Sequence, residues 1–247
     1  MKPSYIDLNS DVGEGIGLEK DLLPLISSCN VACGGHAGNA QSISDIVDLA
    51  HIYNVKVGAH PSYPDTSNFG RVSIQIPEAE LIGSIREQIS LLEGTLLEKG
   101  KSMHHIKAHG ALYNDIAKDV DLARLFLMAV EKYKKTTFIY VPYGSEVAKE
   151  ALCSGFKIKY EAFADRNYND DLSLVSRRFG NGLITSKEEV LAHVAEMVGT
   201  QQVVTVTGKK VKILADTFCV HGDTQGALQI VLYLTQELSH LNILIEK

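Results

Sequence analysis

Four short apolar runs in this chain end at a histidine beside small residues: Val31–His36, Val57–His60, Ile106–His109 and Phe218–His221. Small residues and glycines let backbone and ligand come close. Runs of this kind alternate with helical segments about seven times along the 247 residues, at the spacing of parallel βαβ units. In such a sheet all four imidazoles come to one rim. That rim, at the strand ends, is where α/β proteins place their chemistry. An open sheet and a closed barrel both satisfy the alternation. The even unit spacing, and the absence of any Pro/Ser/Gly-rich linker, favour a barrel formed as one domain over residues 1–247.

The spacing predicts strands at Tyr5–Asp11, Cys29–Cys33, Val55–Ala59, Ile106–Ala108, Thr137–Val141, Phe156–Ala164 and Thr217–Val220. Helices are expected over Leu18–Ser27, bent or shortened by Pro24, and from a cap at Asn39 or Ser42 to Tyr53. The longest runs from Pro77 toward Lys99, with Glu78 and Glu80 in its first turn. Further helices are expected from Asp119 or Asp121 to Lys135, over Ser145–Cys153, from a Ser186/Glu189 capping box to Val198, and from Thr224 to Leu238. Val203–Val206 and Lys210–Leu214 flank a Thr-Gly-Lys turn and read as a hairpin. Two long polar loops, His60–Gln75 and Asp165–Gly182, have the composition of binding loops or lids.

A hydrophobic content of 45% with 22% charged residues is that of a globular protein. The net charge of −6 argues against a nucleic-acid binder. The four cysteines at 29, 33, 153 and 219 form no disulfide or CxxC framework and read as buried, reduced thiols. No apolar stretch reaches the roughly 18 residues of a membrane helix, and the start carries no signal-like run, so a cytoplasmic protein is expected.

The strand ends carry the ionisable groups. Asp7, Asn9 and Asp11 alternate and share one face of the first strand, with Glu14 just beyond. These carboxylates fit metal binding or acid–base work, but not the spacing of a calcium loop. His36, His60, His109 and His221 are the histidine candidates, whereas His51, His104, His193 and His240 read as surface residues. Asp11, His36 and His60 have the ligand types that hold a divalent, zinc-type ion, although no HExxH occurs. The same groups serve equally as acid–base pairs. Lys107 shares the face of His109, and an inward lysine needs a partner such as Asp11 or Glu161, or an anionic substrate. Arg71 and Arg166 lie in the polar loops and suit a carboxylate or phosphate. Glu161 and Asp165 both face inward on their strand. Asp223 is either a site carboxylate or the cap of the last helix. No GxxxxGK[ST] phosphate loop is present.

Taken together, Asp7–Glu14, Asn30–Asn39, Gly58–Asp65, Phe69–Arg71, Lys107–Asn114, Glu161–Tyr168 and Cys219–Thr224 resemble, in order, the motifs of the LamB/YcsF family. The resemblance implies a distorted seven-stranded (β/α) barrel of the glycoside hydrolase/deacetylase type. It implies work alongside two partner subunits, 5-oxoprolinase subunits B and C, with ATP as cofactor, opening 5-oxoproline to glutamate. In that reading Asp11 or His60 positions or deprotonates water, and Lys107 and Arg71 hold the carboxylate or phosphate. His109 or His221 protonates the leaving nitrogen. Asn9, Glu14, His36, Glu161, Asp165, Arg166 and Asp223 line the substrate. Three positions depart from the family pattern: Gly35 stands for Phe, Asn39-Ala40 for Asp-Pro, and Ala108 for Pro. The loss of Phe at 35 is expected to loosen the wall near His36. The rival readings are a metal-dependent deacetylase or amidohydrolase, and a non-catalytic binding subunit. With no Trp and 7% aromatic residues, the chain offers little for a sugar-stacking platform.

Overall fold

The computed structural model describes residues 3–247. Strand β1 (Ser4–Val12) is followed by α1 (Glu19–Leu22), β2 (Ser28–Ala32), α2 (Ala40–Ile52), β3 (Lys56–His60), α3 (Glu78–Glu98) and β4 (His105–Ile106). Then come α4 (Gly110–Ile116), α5 (Val120–Ala129), β5 (Phe138–Pro142), α6 (Glu146–Ser154), β6 (Lys157–Phe163) and α7 (Lys187–Thr200). A hairpin of β7 (Gln202–Val204) and β8 (Lys210–Lys212) leads to β9 (Thr217–Cys219), α8 (Ala227–His240) and β10 (Ile243–Ile245). Strands β1 to β6 pair in sequence, all parallel, and β9 bridges β6 back to β1. The result is a closed seven-stranded parallel barrel wrapped by helices, as the alternation predicts.

The distortion has a visible cause. β1 changes partner along its length: Ser4, Tyr5 and Ile6 pair with β10, whereas Asp7, Leu8 and Asn9 pair with β9. The short β10 was not expected from the sequence, since three residues show no period. The last helix starts at Ala227 rather than Thr224. Gly226, at φ 77°, breaks the chain there, and the Thr224 hydroxyl is committed to Asp165. Pro24 confines the first helical segment to α1 and a 3₁₀ turn at Leu23–Leu25. The helix expected to reach Lys135 stops at Ala129, and α4 is an additional short helix.

Alternation along β1 divides two environments. Ile6, Leu8 and Val12 lie in the apolar shell, together with Ile43, Ile46 and Val47 of α2, Ile85, Ile89 and Leu92 of α3, and Ile230, Val231 and Leu234 of α8. Asp7, Asn9 and Asp11 point the other way and are buried as well. The barrel interior is therefore polar, unlike the branched apolar layers usual in such barrels. Cys29, Cys33 and Cys219 are buried free thiols, but Cys153, near the end of α6, is exposed, so the expectation of four buried thiols fails there. No helix among the described residues is long and apolar enough to cross a membrane.

A candidate active site at the barrel mouth

The polar interior is stacked in three levels, and each level supports the one above. At the base, Asp7 Oδ1 accepts from Ser28 Oγ at 2.7 Å and from Thr217 Oγ1 at 2.6 Å. In the middle, Asn9 Nδ2 donates to Glu161 Oε1 at 3.0 Å, and Asn30 Nδ2 donates to Asn9 Oδ1 at 2.8 Å and to Asp11 Oδ1 at 2.7 Å. His105, which stacks on Tyr140 at 3.9 Å, fixes Asn30 through a 2.6 Å bond from Nε2 to Oδ1. Sequence reasoning missed both His105 and Asn30. Two signals were available: His105, Lys107 and His109 alternate, and Gly58 sits opposite. A Cβ at Gly58 would lie 2.2 Å from His105 Nε2. The glycine is what admits the ring.

At the top level Lys107 is the central charge. It is 2% exposed, and its ammonium reaches Asp11 Oδ1 and Glu161 Oε1, both at 2.9 Å, and Cys219 Sγ at 3.2 Å. Burial alone would lower its pKa, but Asp11, Cys219 and Glu161 outweigh burial and hold it well above the ordinary lysine value. Asp11 answers in kind. Burial raises its carboxyl, yet His60 and Lys107 keep it well below the usual carboxylate range. Both expected partners of Lys107 are present at once, and its three protons are committed to them and to Cys219.

Around the rim stand the histidines. His60 Nδ1 lies 2.9 Å from the Lys107 carbonyl and His109 Nε2 lies 3.0 Å from the Phe69 carbonyl, so each of these nitrogens donates. Their other nitrogens, His60 Nε2 and His109 Nδ1, face each other at 3.0 Å. Asp11 Oδ2 is 3.3 Å from the first and Glu14 Oε1 is 3.4 Å from the second. Burial, reinforced by His60 and His36, drives His109 well below the ordinary histidine value, so it is neutral at pH 7. Two facing lone pairs flanked by carboxylates call for a proton on His60 or a shared cation. His36 stacks on His109 at 3.6 Å and meets Glu14 Oε1 through Nε2 at 3.0 Å. Gly70, at φ +61°, seals this stack: a Cβ there would stand 3.0 Å from both His36 and His109.

Glu14, His36, His60 and His109 each offer one ligand atom, all within 4.8 Å of one another. Imidazole nitrogen and carboxylate oxygen are the donors of a zinc-type or related divalent site. The donor set fits such an ion. It differs from the set expected from sequence: Glu14 and His109 join His36 and His60, while Asp11 falls in a second group with Cys219 and His221.

Across the cleft His221 is oriented by Asp165. Its Nδ1 meets Asp165 Oδ1 at 2.9 Å and its backbone N–H donates to Oδ2 at 3.0 Å. Burial would raise the Asp165 carboxyl, but His221 and the Thr224 hydroxyl hold it low. The ring stacks on Phe163 and turns its other nitrogen away from Asp165. This is the geometry of a carboxylate-oriented acid–base histidine.

The arginines differ from expectation. Arg166 is buried and braces its loop, donating from Nε to the Gly182 carbonyl at 3.0 Å and from Nη2 to Val175 at 2.7 Å. Burial and Arg177 bring it down to about 10. Asp223 caps no helix. It receives Arg71 on one side and Arg177 at 2.8 Å on the other, tying three loops together. Gly35 does not loosen the wall: Gln88 fills the space, bonded to both the N–H and the carbonyl of Ser62 at 2.9 Å. His104 is half-buried, and His193 has its Nε2 buried without a hydrogen-bond partner among the described residues, so neither is simply a surface residue. A cleft of about 560 Å³ gathers Asp11, Glu14, His60, His109, Arg71 and His221.

The sequence model of the LamB/YcsF family matches residues 6–247. The chain is similar to proteins named as the A subunit of 5-oxoprolinase. One, from Limosilactobacillus fermentum, is 41% identical over 246 residues, 98% of each chain. Another, from Acinetobacter baumannii, is 39% identical over 244 residues, 97% of this chain and 96% of that one. It is also similar to the crystal structure of a lactam utilization protein from Thermus thermophilus, with a TM-score of 0.90 and 32% identity over 100% of this chain and 99% of that one.

Proposed function

The chain belongs to the LamB/YcsF family, and on that footing we propose that it is the lactam-opening subunit of an ATP-dependent 5-oxoprolinase. The observation that carries the reading is the convergence, on one cleft, of an oriented acid–base histidine and a constellation able to hold a cation. It is supported by relatives, named as the A subunit of 5-oxoprolinase, that align with nearly the whole chain. Such a name implies further subunits, and we take these to be subunits B and C.

A lactam is a resonance-stabilised amide, so opening it needs an activated carbonyl, a nucleophile and a proton for the departing nitrogen. ATP bound by the complex would supply the phosphoryl group that activates the lactam oxygen, leaving ADP, and that group would depart as inorganic phosphate as water adds and the ring C–N bond breaks. A divalent ion held by Glu14, His36, His60 and His109 would polarise a carbonyl or lower the pKa of water. The residues of this chain do the rest. Asp11 takes a proton from the attacking water, because His60 Nδ1 already donates to the Lys107 carbonyl and its Nε2 is the nitrogen that would hold the ion. His221, aligned by Asp165, gives a proton to the ring nitrogen as it leaves. Lys107 holds Asp11 and Glu161 in register rather than reaching for the substrate anion. Arg71, about two-fifths exposed beside Asp223, is the cation at the cleft for the carboxylate.

The test is glutamate release from 5-oxoproline and ATP, with this chain alone and then with subunits B and C. Glutamate is expected only from the full mixture. Folded chain that yields none in any mixture overturns the reading. A second reading, metal-dependent amide hydrolysis without ATP, is favoured by the Glu14–His36–His60–His109 set. It predicts chelator-sensitive cleavage of an N-acyl substrate by this chain alone.

A further inference from the structure

One chain of hydrogen bonds runs inside the barrel from the start of β4 to Asp11, and donor chemistry fixes the direction of every link. The Asn30 amide commits both protons, to Asn9 Oδ1 and to Asp11 Oδ1, so its own Oδ1 is an acceptor. His105 Nε2, 2.6 Å from that oxygen, therefore carries a proton. Burial, and after it His104 and Lys107, hold His105 well below the ordinary histidine value, so the ring is neutral and its Nδ1 bears a lone pair. His104 Nδ1, 3.0 Å away, is then the donor to it. His104, His105 and Asn30 all donate toward Asp11. Asp11 Oδ1 is filled by Asn30 at 2.7 Å and by Lys107 at 2.9 Å. Asp11 Oδ2 receives neither and faces the rim at His60.

We propose that His105 is a positioning residue for the hydrolytic step: through Asn30 it keeps Asp11 Oδ1 occupied, and so leaves Oδ2 as the oxygen that takes the proton from water. This role rests on the lactam-opening reading and adds the residue, one level below the site, that chooses the basic oxygen. Without the His105 donor, the Asn30 carbonyl is a buried acceptor with no partner. The amide then turns toward another donor and withdraws its proton from Asp11. The two carboxylate oxygens are no longer distinguished. His104 sets the tautomer, because its Nδ1–H excludes a proton from the His105 nitrogen that faces it.

Two variants separate this role from packing. His105→Phe keeps a face-to-face stack on Tyr140, where the two ring planes now lie 3° apart, and removes the donor. His105→Gln gives up the stack and keeps an amide N–H in the place of Nε2–H. Glutamate formation is measured over a range of 5-oxoproline in the mixture with ATP and subunits B and C, with melting curves to correct for folded protein. His105→Phe should lower kcat roughly 10–100-fold and leave KM within about twofold. His105→Gln should stay at least about tenfold faster than His105→Phe. In an Asn30→Ala background, His105→Phe should cost less than about twofold more, because the link is already cut. Nitrogen-15 imidazole spectra of the wild-type chain should show His105 protonated at Nε2 and His104 at Nδ1. The reverse order of Phe and Gln, additive losses in the double variant, or the opposite His105 tautomer overturns the positioning role. Glutamate from the wild-type mixture then leaves the lactam-opening reading standing. A folded wild type that forms none in any mixture overturns both.

Discussion

His60 Nε2 and His109 Nδ1 face each other at 3.0 Å, while the opposite nitrogen of each ring donates to a backbone carbonyl. Two neutral rings held this way repel. The barrel strands and the Phe69 loop nevertheless impose the contact, which makes this pair the point where the fold asks for positive charge.

A divalent ion should supply it. Zinc or manganese at about 100 times its dissociation constant stabilises a protein by about 2.7 kcal/mol, which for a chain of this size raises the melting temperature by roughly 5–10 °C. His60→Ala and Glu14→Gln should abolish the shift. Differential scanning fluorimetry with bound-metal analysis checks this, and an unshifted wild type argues that a proton on His60 fills the role instead.

Lys107→Met should destabilise the fold by about 3–5 kcal/mol, because it leaves Asp11 and Glu161 as uncompensated buried carboxylates. Urea unfolding monitored by circular dichroism reads the loss directly. A variant as stable as wild type would mean that the two acids protonate at little cost.

His221→Ala and Asp165→Asn should each lower glutamate formation about 10²–10⁴-fold. The first loses the proton donor, the second the bond that orients it. Steady-state rates in the reconstituted mixture, with melting curves for both variants, separate chemistry from folding. Full activity in Asp165→Asn would remove His221 from the acid role.

Acid should weaken the protein in two stages. Burial lowers His104 and His193 from 6.5 to about 4 in the fold. Between those values the unfolded chain binds more protons, so the stability these neutral rings contribute is present above about pH 6.5 and lost as pH falls toward 4. Asp165, held below 3.8, contributes stability above that value and loses it at lower pH still. Urea midpoints at pH 7.5, 5.5 and 4.5 test the first stage, and His193→Gln should flatten it. A midpoint constant across that range would contradict the assignment.

Much of this site was legible before the structure. The period-two alternation of Asp7, Asn9 and Asp11 assigns them to one face, and four strand-terminal histidines predict one rim, because strand geometry is local. Lys107, on the face of His109, was expected to need a carboxylate partner or an anionic substrate, because an unpaired buried charge is costly. What remained hidden depends on closure. β1 divides its length between β9 and β10, and no local pattern encodes that exchange. Arg71, Arg177 and Asp223 meet from three separate loops, and Gln88 reaches from α3 to fill the space beside Gly35. The amino-acid sequence by itself determined which side chains point inward and that they end at one rim, since both follow from the strand period and the βαβ alternation. Only the tertiary structure decided which histidine nitrogens face each other and which acids flank them, because those distances are set by the closure of the barrel and by which backbone carbonyl each ring finds.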